Sequence, residues 1–126
     1  MKFLFLIPLI LIMDLSFSQE IKYVKIDNTC EAGIKEAKVD IEKGIYKVLS
    51  YGLIIHSEQD LHDYYVQYVK EKYNVILGDG GCVVTDKSEC YRQTMEEAVL
   101  EKFGKDFFEK THQEALEKFN KLDEKK

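Results

Sequence analysis

Residues 45–79 read IYKVLSYGLIIHSEQDLHDYYVQYVKEKYNVILGD, and this stretch decides the fold. Ile45 to Tyr51 is apolar and rich in strand formers, and Gly52 interrupts a run that continues to Ile55. Ser57-Glu58-Gln59-Asp60 then supplies a helix cap, with an acidic residue at the position a capping box uses. Leu61, Tyr65, Tyr68 and Val69 recur at helical spacing and form the inner stripe of that helix. Val75-Ile76-Leu77 is a second short apolar strand, closed by Gly78-Asp79-Gly80-Gly81. Strand, helix and strand in succession predict a parallel pair joined by a right-handed crossover.

Working outward, Ile21 to Ile26 alternates and reads as a strand, or as an extended lead-in that does not pair. Asn28 with Glu31 opens a helix whose Cys30, Ile34, Ala37 and Ile41 share one face; Gly33 interrupts it weakly and Gly44 ends it. Asp86 with Glu89 opens a third helix, carrying Tyr91, Met95, Ala98 and Val99 inward and stopped by Gly104. A fourth runs from about Asp106 to Leu122, with Phe108, Ala115, Phe119 and Leu122 on one side. The expectation is an α/β or α+β domain: a three-stranded sheet in the order strand-helix-strand-helix-strand-helix-helix, with a helical hairpin at the C-terminal end. Its core should draw on Ile34, Ala37, Ile41, Val48, Leu61, Tyr65, Ile76, Met95, Val99, Phe108 and Phe119.

The first residues carry an address. Lys2 precedes an apolar run from Phe3 to Met13, and Ser16-Phe17-Ser18 places small residues where a signal peptidase reads. Residues 1–18 are therefore expected to be a signal peptide, with a single small globular domain over 19–126 and a mature start at Gln19. A spanning helix needs about 20 apolar residues. Phe3 to Met13 falls short of that, and no later segment reaches it, so no membrane span is expected after cleavage. The destination is secreted or periplasmic. Loss of Lys2 and Asp14 leaves the net charge at −5, which argues against nucleic acid or an anionic membrane surface as partner.

Three cysteines are an odd set for an oxidising compartment. Cys82 and Cys90 flank one turn and are the expected disulfide; a bridge using Cys30, or none, is the alternative. Cys30 on its apolar stripe suits a buried thiol. If the strands near Val48 and Ile76 are parallel neighbours, His56, Asp79 and Cys82 emerge on one edge. They would supply a base, a carboxylate and a nucleophile. The simpler reading makes His56 the end of a strand, Asp79 part of a tight turn and Cys82 structural. Glu58 and His62 lie one helical turn apart and could share a metal, but a third spaced ligand is missing. Neither metal nor cofactor is expected. Tyr64 leans off the inner stripe of its helix and is the candidate binding tyrosine. His112 borders the apolar face of the last helix and is expected to pack in the core.

Asp40-Ile41-Glu42-Lys43-Gly44, Tyr73, Asp79, Gly81-Cys82-Val83, Tyr91, Thr94-Met95 and Lys102-Phe103-Gly104 resemble small secreted proteins of unknown function from the Bacteroidota. The Phe17-Ser18-Gln19 region is similar to theirs as well. The resemblance implies a secreted, compact domain and brings no catalytic residues with it. The expected function is a non-catalytic module that binds a protein or a small ligand. The alternative is a small hydrolase or thiol enzyme using His56 and Cys82.

Overall fold

The computed structural model describes residues 25–125. The signal segment, its cleavage point and residues 21–24 of the expected first strand lie outside the described residues. Lys25 and Ile26 belong to no strand. The architecture is α+β and mostly helical, in the order α1 (Cys30–Glu42), β1 (Tyr46–Ser50), α2 (Gln59–Tyr73), β2 (Val75–Asp79), α3 (Asp86–Phe103) and α4 (Phe107–Asp123). Among the described residues the sheet has two strands rather than the expected three.

β1 and β2 are parallel, in register from Tyr46 opposite Val75 to Ser50 opposite Asp79. Side chains alternate across a sheet, so Tyr46, Val48, Val75 and Leu77 share one face. Val48 and Val75 are buried there, and Tyr46 and Leu77 pack against the core. Ile76 falls on the opposite face and is 38% exposed, which removes it from the expected core. Pairing continues past both strands: Gly80 N–H donates to the Ser50 carbonyl at 2.7 Å, and Gly52 N–H donates to the Gly81 carbonyl at 2.8 Å. The two loops leaving the carboxyl end of the sheet are thereby tied together. Beyond Gly52 the apolar run leaves the sheet, and Leu53 and Ile55 are 87% and 85% exposed.

α1 packs on α3, and the contact is unusually close. A Cβ on Gly33 would lie 2.1 Å from the Lys87 carbonyl oxygen. The glycine that weakens α1 by about 1 kcal/mol in propensity is what lets the two backbones meet. At this crossing Cys30 is bonded to Cys90, with 5.2 Å between their α-carbons. The expected Cys82–Cys90 bridge is thus corrected to Cys30–Cys90, and Cys82 is free and exposed. α3 starts only at Asp86, so Cys82 stays out in the preceding loop while Cys90 sits on the face of α3 that meets α1. One residue on, Tyr91 is buried and its hydroxyl donates to Asp40 Oδ2 at 2.7 Å.

Helix starts differ slightly from the sequence reading. Thr29 rather than Asn28 caps α1, its side chain accepting from Ala32 N–H at 3.3 Å. Thr85 and Ser88 form a reciprocal capping box at the start of α3. α2 follows Glu58 without a side-chain cap, so Ser57 does not serve as one.

α4 does not close a hairpin on α3. Gly104, at φ 109°, ends α3, and the Phe103 and Phe107 rings stack across the corner at 4.8 Å. From there α4 runs along α2. Thr111 and Ala115 are fully buried, and these small side chains let α4 lie close to the tyrosines of α2. The Tyr65 hydroxyl shares a hydrogen bond with Thr111 Oγ1 at 3.1 Å. Glu114 Oε2 accepts from the Tyr68 hydroxyl at 2.7 Å, Lys72 Nζ at 2.9 Å and the Tyr73 hydroxyl at 3.1 Å. Lys72 and the two hydroxyls hold the Glu114 carboxyl down to about 2.

Of the expected core, Ala37, Val48, Leu61, Met95 and Val99 are buried. Ile34, Ile41, Tyr65, Phe108 and Phe119 are half-buried. Tyr68, Val69, Val75, Tyr91, Phe107 and Ala115 complete the interior.

Candidate functional site at the carboxyl ends of the strands

Where parallel strands end, the chain diverges into loops and leaves a crevice. A cleft of about 830 Å³ lies there. Ser50 contributes from the end of β1, Ile54 and His56 from the β1–α2 loop, and Gly78 and Asp79 from the end of β2. The remaining wall is α2, through Gln59, His62, Asp63, Val66, Gln67, Lys70 and Glu71, with Asn74 at its C-cap. Gln59, Asp63, Val66 and Lys70 stand three or four residues apart, which places them on one helical face. That face is the one turned away from Leu61, Tyr68 and Val69, the buried residues of the same helix.

Most residues lining the cleft are polar, and their charge leans acidic. Asp63, Glu71 and Asp79 face only Lys70 among its fully charged lining residues. Gln59 Nε2 donates to Asp63 Oδ1 and Gln67 Nε2 to Glu71 Oε1, each at 2.7 Å. These bonds fix both amides and leave their oxygens available as acceptors. Asp79 Oδ1 accepts from Gly81 N–H at 2.8 Å, which sets the turn after β2. His56 and His62 stack face to face, ring centroids 3.5 Å apart and planes 13° from parallel. Burial depresses the His62 pKa and the neighbouring His56 adds to the effect, while Asp63 opposes it.

The sequence candidates divide around this cleft. His56 and Asp79 share it; Cys82 is not among its lining residues, so the base–carboxylate–thiol set is not assembled around one space. His62 lines the cleft and Glu58 does not. Imidazole lone pairs lie in the ring plane, so nearly parallel stacked rings point them side by side rather than onto one ion. Among the described residues no three His, Cys, Asp or Glu side chains gather in a way that could hold a metal. Tyr64 is half-buried rather than exposed, stacked over Tyr68 at 6.4 Å and tilted against Phe119 at 5.5 Å. His112 is exposed and meets the Tyr65 ring edge-on at 5.2 Å, so it is not a core histidine.

A smaller cavity of about 380 Å³ lies behind the cleft, where the core face of the sheet meets α2, α3 and α4. Tyr65, Glu96, Phe108 and His112 line it, and it shares Ser50, His62 and Gly78 with the cleft. The cleft wall on α2 is a polar stripe, which apolar periodicity does not mark. Its signal was present in the spacing of Gln59, Asp63, Gln67 and Lys70.

Comparisons with protein families, curated proteins and solved structures found no match to this chain. Among the described residues no helix is long and apolar enough to cross a membrane.

Proposed function

We propose that this chain is an exported, non-catalytic binding module whose ligand occupies the cleft between α2 and the carboxyl ends of β1 and β2. The observation that carries the reading is the convergence of both strand ends, one loop and the polar face of α2 on a single space of about 830 Å³, within the size range of ligand pockets. The Cys30–Cys90 disulfide supports an oxidising destination, either secreted or periplasmic, and the apolar leader before Gln19 and the Bacteroidota resemblance point the same way. The fixed amides and the excess of carboxylates favour a small polar ligand or a short peptide bearing donor groups. An acidic chain disfavours nucleic acid.

A thiol enzyme has its free thiol in Cys82, but base and thiol do not share a substrate space, so the binding reading is preferred. The test is a screen of polar fragments and short peptides against the mature protein, read by backbone amide shifts. Hits should move Ser50, His56, His62, Val66 and Asp79 together. Hits that consistently move another surface and leave these five still would overturn the assignment.

A further inference from the structure

We infer that the stacked His56–His62 pair is a pH-sensitive latch that holds the β1–α2 loop against α2. The loop between Ser50 and Gln59 has few other attachments. Gly52 N–H bonds Gly81 at one end and the Glu58 carbonyl accepts from His62 N–H at the other. Between them, among the described residues, no hydrogen bond reaches residues 53–57. Leu53 and Ile55 point into solvent, and of the loop's apolar side chains only Ile54, 39% exposed, is turned toward the cleft. Beside Ile54, the face-to-face contact of the His56 ring with His62, at 3.5 Å between centroids, joins the loop to α2. His62 itself is fixed on α2, half-buried at the boundary of the cleft and the smaller cavity.

Two neutral imidazoles stack favourably, and one imidazolium over a neutral ring is tolerated. Two imidazolium ions at that separation repel, His62 being half-buried and His56 exposed. The surroundings are mixed. Asp63 beside His62 on α2 favours its protonation and is engaged by Gln59; Asp79 at the end of β2 lines the same cleft and is engaged by Gly81 N–H. Across the smaller cavity stand Glu96 of α3, which is bonded to Arg92, and the titratable His112 of α4. Glu58 precedes α2, and Lys70 and Glu71 lie farther along the cleft wall. Burial and His56 outweigh the nearest carboxylate, because the His62 pKa is lowered on balance. The closed loop therefore binds fewer protons than an open one in which the His62 ring meets water. Closure is fully favoured above roughly pH 6.5, the ordinary histidine value. It is lost as pH falls from there through the lowered value of the closed state. Because His56 and Ile54 form part of the cleft wall, acidification opens that wall.

The latch requires no ligand, so its failure and failure of the binding assignment are separate results. The experiment follows the histidine Cε1–H signals and the backbone heteronuclear Overhauser effect of residues 53–57 in the mature protein between about pH 7.5 and 5.5. In the wild type the His62 signal should titrate below the free-histidine value, and the Overhauser values of the loop should fall as it does so, because an unlatched loop gains fast motion. His56→Phe keeps a ring to stack but cannot charge, and its loop values should stay flat. His62→Phe is the second variant and should behave alike. Titration of His62 at the free-histidine value would overturn the latch. So would a wild-type loop response that survives in either phenylalanine variant.

Discussion

Gly33 of α1 rests against the carbonyl of Lys87 in α3, leaving a gap that no β-carbon can enter. That contact fixes how close the two helices lie, and closeness brings Cys30 within bonding reach of Cys90. Gly33→Ala should gain up to about 1 kcal/mol in helix propensity and lose more to the clash, since the obstruction is backbone and cannot rotate away. The net expectation is a loss of roughly 1–3 kcal/mol in denaturant unfolding of the oxidised protein. A neutral or stabilised variant would mean that the helices are not in this contact.

The disulfide closes a separation of 60 residues. Loop-closure entropy gives about 4 kcal/mol for a bridge of that span. Replacing Cys30 and Cys90 together by alanine should lower stability by an amount of this order. Unreduced peptide mapping should show the two joined, with Cys82 alkylated in the folded protein without denaturant. A Cys82–Cys90 peptide would contradict the crossing of α1 and α3.

Met95 is fully buried at the centre of the core. Met95→Ala should cost about 2–5 kcal/mol, depending on how far its neighbours collapse. Phe119, which is only half-buried, should cost less on truncation than a fully buried phenylalanine, for which about 3–5 kcal/mol is usual. Equilibrium unfolding of both variants ranks the two sites directly. The reverse order would mean that α4 is seated differently on α2.

Glu114 joins α2 to α4 by accepting from Tyr68, Lys72 and Tyr73. Its carboxyl is held at about 2, below the unfolded value near 4.3. A depressed carboxyl contributes stability that is complete above the unfolded pKa and lost as pH falls through the folded one. Glu114→Gln should therefore flatten the stability profile between about pH 5 and 2. It should also cost roughly 1–2 kcal/mol at neutral pH. A slope unchanged from the wild type would remove this carboxylate from the joint.

Periodicity was informative where burial is one-sided. The stripes of α1, α2 and α3 placed Ala37, Leu61 and Met95 correctly, and Val75 to Leu77 marked β2. What the sequence concealed depends on distant parts of the chain. Ile76 reads as core in a run of three apolar residues, yet strand alternation turns it outward once Val75 is inside. Local spacing favoured Cys82 as the partner of Cys90, whereas the true partner is set by a helix crossing made possible by Gly33. The direction of α4 was hidden for a similar reason. Thr111 is polar and reads as surface, but its hydroxyl donates to the Phe107 carbonyl at 2.8 Å and so can be buried against Tyr65. His56 and Asp79 were placed on one edge from the parallel pairing alone; the helical wall opposite them required the packing of α2.

Affinity tested with paired charge substitutions bears most directly on the assignment of the cleft. Val66 is half-buried on the cleft wall, whereas Val83 is 73% exposed in the loop beyond β2 and outside the cleft. For a ligand recovered in the fragment or peptide screen, Val66→Glu should raise Kd by about tenfold or more, equivalent to roughly 1.4 kcal/mol. Val83→Glu should leave Kd unchanged to within about twofold, with both variants folded by their amide spectra. Weakening by Val83→Glu with no effect of Val66→Glu would contradict the account and move the binding surface to the exposed loop edge.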